Sequence, residues 1–251
     1  MIPKPKKQTV VAIGGGELKD LDTLPIDKEI VKLSGKKKPT ALFVPTASGD
    51  AIGYSETFKL IYGQNLGCHI DVLLLIREKP TRKEIERKIL SADIIYVGGG
   101  NTARMLKIWK KYGVDRLLIE AGKKGTILSG ISAGAICWFK YGLSDSRRFV
   151  NKKKDFHFIR VSGLGIIPCA VSPHHIREKK RRDPGLADMM RKTTGVGLAI
   201  DDNAALMVRG EKYSVLTSKP EVGIIKVFCK KGAIERHKIP HEGMLKDLFS
   251  R

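Results

Sequence analysis

Negative charge is scarce in this chain. Its 251 residues carry 26 Asp and Glu against 47 Lys and Arg, a formal charge of +21, which excludes an acidic tail protein. Long apolar runs are also missing. No stretch of about 18 apolar residues without a charge occurs, and Met1-Ile2-Pro3-Lys4-Pro5-Lys6-Lys7 leads into a short apolar run that opens into three glycines. Neither a signal peptide nor a membrane span is read from this pattern. The four cysteines, Cys68, Cys137, Cys169 and Cys229, are far apart, with no C-x-x-C pair and no cluster with histidine. That spacing argues against zinc and fits buried thiols in a reducing cytoplasm.

The positive charge comes in blocks, such as Lys36-Lys37-Lys38, Lys152-Lys153-Lys154 and Lys179-Lys180-Arg181-Arg182, which read as solvated loops. Zinc-finger spacing, an R-G-F-x-F strand and heptads are all lacking, so nucleic-acid binding is disfavoured even though the charge would attract polyanions. With 42% hydrophobic residues the chain can bury a full core, and the lack of a long Gly/Ser/Pro linker or internal repeat favours one domain.

Short β-branched runs alternate with amphipathic stretches, the pattern of an α/β fold with a mainly parallel sheet covered on both faces. Strands are expected over 9–13, 40–44, 70–75, 94–97, 126–130, 165–171 and 196–200, and helices over 54–66, 82–90, 102–110 and 114–123. Thr81 and Glu84 form the capping-box pair for one of these helices. Beyond about residue 203, runs at 204–208, 213–216 and 223–228 separated by turn residues predict a C-terminal antiparallel extension of the sheet. Segments 145–155 and 178–185 read as loops.

The stretch richest in chemistry is Gly130-Ile131-Ser132-Ala133-Gly134, between an apolar strand and a short helix. This is the G-x-S-x-G nucleophile elbow in its strand, turn, helix context, although a serine there also serves as a plain helix cap. A second turn, Gly98-Gly99-Gly100-Asn101-Thr102, ends the neighbouring strand. An amide from Gly99 or Gly100, with that of Ala133, could form an oxyanion hole; phosphate binding and plain packing are the rival uses. Gly14-Gly15-Gly16-Glu17 lacks dinucleotide spacing. A serine nucleophile needs a base, and His174 and His175 follow a strand, whereas His69, His157, His237 and His241 are worse placed. Asp145, Asp201 and Asp202 are the candidate orienting carboxylates.

Taken in order, Ile13-Gly14-Gly15-Gly16, Tyr96-Val97-Gly98-Gly99-Gly100-Asn101-Thr102, Gly130-Ile131-Ser132-Ala133-Gly134-Ala135, Pro173-His174-His175 and Asp201-Asp202-Asn203-Ala204-Ala205-Leu206 resemble peptidase family S51, that of aspartyl dipeptidase and cyanophycinase. The resemblance implies a three-layer sandwich similar to class I glutamine amidotransferases, with no cofactor and no metal. It assigns Ser132 as nucleophile, His174 as base and Asp145 as third triad member, with Asp202 in reserve. It also implies substrate contacts from Asn101, Arg177, Arg181 and Arg182. The implied activity is a cytoplasmic serine peptidase acting on short peptides, including Asp-Xaa dipeptides. An amidase or esterase on a small molecule and a basic nucleic-acid-binding protein are the alternatives. The partner is a short peptide and not a membrane, and a homodimer is compatible with the sequence.

Overall fold

The computed structural model describes residues 7–149 and 157–250, so Lys152-Lys153-Lys154 and most of the loop expected at 145–155 lie outside the described residues. Strands β1 (Thr9–Ile13), β2 (Thr40–Val44), β3 (His69–Val72), β4 (Ile94–Val97) and β5 (Ile127–Ile131) pair in parallel in the order β1-β5-β4-β2-β3. Alternate residues of these strands enter separate cores. Val10, Leu42, Ile95 and Leu128 enter one, and Val11, Phe43, Tyr96 and Ile127 enter the other. Burial on both faces is why these runs are apolar at successive positions instead of alternating.

Helix α1 (Leu24–Leu33) packs Ile26 and Ile30 into the second of these cores. It was not among the expected helices; Pro25 in its first turn and the mixed charges of Asp27, Lys28 and Glu29 mask a short apolar stripe. Helix α2 (Ile52–Phe58) continues as a π-helical turn over Lys59–Asn65, so the stretch expected as one helix changes its hydrogen-bond period midway. The first core is closed by α3 (Arg82–Ser91), α4 (Thr102–Tyr112) and α5 (Val114–Lys123), through Ile85, Ile89, Met105, Trp109 and Leu118. The capping box at the start of α3 is present, with Thr81 accepting from the Glu84 N–H and Glu84 from the Thr81 N–H.

The structure corrects the single-sheet expectation. The segments at 165–171 and 196–200 are not in the first sheet. After the short helix α6 (Ala133–Ile136) they join a second sheet with two strands the sequence pattern did not announce, β6 (Phe139–Ser144) and β7 (Ile159–Ser162). There they appear as β8 (Ile167–Ser172) and β9 (Gly197–Ile200). The C-terminal strands divide between the sheets. β10 (Ala204–Arg209), β11 (Lys212–Thr217) and β14 (Glu242–Met244) extend the first sheet beyond β1, while β12 (Ile224–Lys230) and β13 (Ala233–Lys238) extend the second beyond β9. Segment 178–185 is also not a loop but opens α7 (Lys179–Arg191), despite Pro184 in its second turn. Leu186, Met189 and Met190 pack that helix onto the second sheet.

Asp27 is fully buried in the second core, where Tyr62 Oη donates to Oδ1 at 2.7 Å and Thr23 Oγ1 to Oδ2 at 2.8 Å. Burial pushes its carboxyl up to about 6, against the opposing pull of those two hydroxyls. The folded state therefore holds a proton that the unfolded chain releases above about pH 4. The stabilisation is present below that pH and is lost as pH rises through about 6, an effect on the order of 3 kcal/mol. Asp27→Asn should remove this dependence: denaturant unfolding followed from pH 4 to pH 7 should show the variant gaining on the wild type as pH rises. A constant difference between the two would refute the assignment.

Candidate active site

The elbow at Ser132 is built by contacts that only glycine allows. A Cβ on Gly134 would collide with the Val97 carbonyl, and one on Gly130 would lie 2.5 Å from the Gly134 carbonyl. The close approach turns Ser132 into a left-handed backbone conformation, φ 56° and ψ −110°, at the N-terminus of α6. Such strain persists only where the surroundings fix it. Here the Ser132 N–H donates to the Ile13 carbonyl at 3.0 Å, and its own carbonyl accepts from Ala135 and Ile136.

His174 has the same unusual backbone hand, φ 55°. Its Nε2 lies 2.8 Å from Ser132 Oγ, and its Nδ1 lies 2.6 Å from Asp202 Oδ1. The carboxylate assigns the proton to Nδ1 and leaves the Nε2 lone pair facing the serine hydroxyl. Arg177 lies beside this pair, its Nη2 2.9 Å from His174 Nδ1 and its Nε 3.6 Å from Asp202 Oδ2. One nitrogen cannot donate to Asp202 and also accept from Arg177, so the arginine acts as a charge next to the carboxylate. Burial alone would raise the Asp202 carboxyl. The hydrogen bond from His174 and the charges of Arg177 and Arg182 outweigh burial and hold it below the ordinary range.

The structure places Asp145 away from His174. Asp145 follows the end of β6 and faces Arg148 and Arg182, each 3.9 Å away, while the carboxylate on His174 is that of Asp202 in the turn between β9 and β10. His175 is buried on the other side, its N–H on the Ile200 carbonyl, and burial lowers its imidazole. The substrate candidates also separate. Arg177 lines the same cavity of about 540 Å³ as Ser132, His174, Gly99 and Gly100. Arg181 lines a different cavity, with His157 and Arg160. Arg182 is 2% exposed and structural: it donates to Glu178 at 2.7 Å and to the Leu143 carbonyl, and lies over the Phe158 ring. Asn101 is the N-cap of α4, its Oδ1 accepting from the Arg104 N–H and its Nδ2 directed at the Ser146 carbonyl, so both ends of its amide are taken by the protein.

Gly99 abuts the serine, with a hypothetical Cβ 3.5 Å from Ser132 Cβ, and its N–H donates to Tyr54 Oη at 3.4 Å. Burial pushes the Tyr54 phenol up to about 12, so it stays protonated. The sequence reading missed the part played by Gly14-Gly15-Gly16. The Gly14 carbonyl accepts the His174 N–H, the Gly15 carbonyl accepts the Asn203 N–H, and a Cβ on Gly15 would collide with both Asp202 Oδ1 and His174 Nδ1. The available signal was position, since this turn leaves the carboxyl end of a strand adjacent to the elbow strand. Gly15→Ala should displace the imidazole from Ser132. Labelling of Ser132 by a serine-directed acylating probe should slow on the order of 10²-fold, with far-UV circular dichroism retained. Unchanged labelling would show that the turn does not position the pair.

The profile of peptidase family S51 matches residues 10–216. Among curated relatives, an uncharacterized peptidase of Bacillus subtilis, YgaJ, is 34% identical over 235 residues, covering 93% of this chain and 97% of that protein. Peptidase E of Streptomyces coelicolor is 23% identical over 177 residues, 68% of each chain. Among solved structures, a peptidase from an acI-B1 Actinobacterium superposes with a TM-score of 0.71 at 21% identity, covering 96% of this chain and 98% of that one, a likeness of fold. From the extent of the profile match and the near full-length Bacillus relative, the chain belongs to peptidase family S51.

Proposed function

We propose that the chain is a serine peptidase that hydrolyses short peptides through an acyl-enzyme at Ser132. The observation that carries this reading is the continuous chain Ser132 Oγ, His174 Nε2, His174 Nδ1, Asp202 Oδ1, with links of 2.8 and 2.6 Å, at the wall of an open cavity. Ser132 Oγ attacks the scissile carbonyl carbon and passes its proton to His174 Nε2. The carbonyl oxygen, now an anion, takes the N–H groups of Gly99 and Ala133, replacing the long Gly99 contact to Tyr54 Oη. The C–N bond breaks as Nε2 protonates the leaving amine, and Ser132 is left esterified. Water then attacks the ester, giving its proton to Nε2, and the acid departs as Ser132 recovers its hydrogen. Asp202 keeps Nδ1 protonated throughout and offsets the imidazolium charge. Asn101 and Arg182 are engaged within the fold, and Arg181 faces another cavity. Preference for an N-terminal aspartate therefore rests on Arg177 and on Lys19 of the same cavity.

With Asp-Leu, Ala-Leu and Arg-Asp as substrates and released amine followed by mass spectrometry, cleavage should be seen, with Asp-Leu preferred. Ser132→Ala should lower kcat by at least about 10⁴-fold and Asp202→Asn by about 10⁴-fold. Asp145→Asn should retain turnover, and His174→Ala should be far worse than His175→Ala. A folded wild type that cleaves none of these peptides, yet hydrolyses a small amide or ester through Ser132, would replace the peptidase reading with an amidase or esterase. Loss of activity in Asp145→Asn rather than Asp202→Asn would overturn the proposed triad.

A further inference from the structure

We infer that Glu17 is the counter-ion for the substrate's free α-ammonium group, so that the site discriminates between peptides with a free N-terminus and blocked ones; this rests on the peptidase reading above. Among the described residues lining the cavity at Ser132, Glu17 is the one carboxylate, and the cavity's other charges are the cations Lys19 and Arg177. An ammonium entering that space is repelled at two places and attracted at one.

The position of Glu17 is built. It follows Gly16, whose φ of 124° ends the turn packed on His174 and Asp202, and precedes a short 3₁₀ turn (Leu18–Asp20) anchored by buried Leu18. Its N–H donates to Asp22 Oδ2 at 3.1 Å, and Asp22 is fixed by Lys219 at 2.8 Å and by the Ser218 hydroxyl on its carbonyl. The backbone is thus tied down while the side chain stays exposed. In a chain of charge +21, the Glu17 carboxylate forms no ion pair among the described residues, whereas neighbouring Asp22 does.

Glu17 lines the cavity together with Ser132, Gly99 and Tyr54, and Tyr54 Oη accepts the Gly99 N–H at 3.4 Å. In a dipeptide the α-ammonium is carried by the Cα next to the scissile carbonyl. A carbonyl oxygen seated on the Gly99 amide places that ammonium within the cavity that Glu17 lines. A charge-assisted hydrogen bond at a partly solvated site changes affinity by about tenfold.

The test compares Asp-Leu and Ala-Leu with their N-acetylated forms, for the wild type, Glu17→Gln, Glu17→Asp and Glu120→Gln. Glu120 is an exposed carboxylate on α5, paired with Lys124 outside the cavity, and controls for the loss of one negative charge. The wild type and Glu120→Gln should show KM values about tenfold lower for the free peptides. Glu17→Gln should raise KM for the free peptides about tenfold, with a smaller change in kcat, and should erase the preference over the acetylated forms. Glu17→Asp should restore part of it. If the wild type cleaves free and acetylated peptides alike through Ser132, or if Glu17→Gln keeps the preference, the inference is wrong and the peptidase reading stands. If no form shows Ser132-dependent cleavage of any peptide, both fall.

Discussion

Three successive carbonyls, those of Ile13, Gly14 and Gly15, accept the backbone N–H groups of Ser132, His174 and Asn203. The candidate serine, histidine and aspartate come from three distant parts of the chain, and this one turn holds all three segments in register. Each bond is worth only about 1 kcal/mol net. Their consequence is geometric: His174 and Ser132 carry left-handed backbones that local sequence would not select, and the turn helps over-determine them. The same turn must be glycine because the His174–Asp202 pair lies directly against its backbone. Positioning here is thus a property of main chain before it is one of side chains.

Two buried carboxylates show how neighbours decide the sign of an electrostatic effect. Asp27 and Asp202 both lose water. Asp27 is met by two neutral hydroxyls, which do not offset burial, and it holds its proton more tightly than a free aspartate. Asp202 is met by the His174 imidazole and the Arg177 guanidinium, and with the charge of Arg182 these reverse the effect of burial and keep it ionised. Asp27 belongs to the core behind the cavity, beside the stacked rings of Phe43, Phe58 and Tyr62. Asp202 belongs to the hydrogen-bonded chain that ends at Ser132 Oγ. The general excess of Lys and Arg also becomes specific at the site, where Arg177 and Lys19 face a single carboxylate, Glu17.

Much of the first sheet is legible from the sequence, since strands buried on both faces advertise themselves as short apolar runs and the covering helices have regular stripes. The second sheet is less so. β6 mixes exposed Lys140 with buried Phe139 and Leu143, and β7 is only partly buried, so neither produces a run that stands out from a loop. Helix α7 is concealed by a basic block that reads as solvated. Arg182 is in fact buried because Glu178, the Leu143 carbonyl and the Phe158 ring together satisfy it. At the site, Ser132 can be named from its elbow, and a strand-end position singles out His174 and His175, between which the family resemblance chooses. The carboxylate cannot be chosen in the same way. Asp202 ends a strand-like run, Asp145 lies in an unmarked stretch after the elbow, and only the packing of β9 and β10 against the Gly14-Gly15 turn decides which one reaches the imidazole. Glu17 and Tyr54 have no signature in the chain, because their relation to Ser132 is created by tertiary contact alone.

The account turns on Asp202 holding the Nδ1 proton of His174. Proton NMR of the resting protein measures this directly, since a proton shared in a 2.6 Å bond to a carboxylate resonates well downfield of the amide envelope. That signal should be present in the wild type, persist in Asp145→Asn and disappear in Asp202→Asn. Its survival in Asp202→Asn, or its loss in a folded Asp145→Asn, would contradict the arrangement on which the mechanism rests.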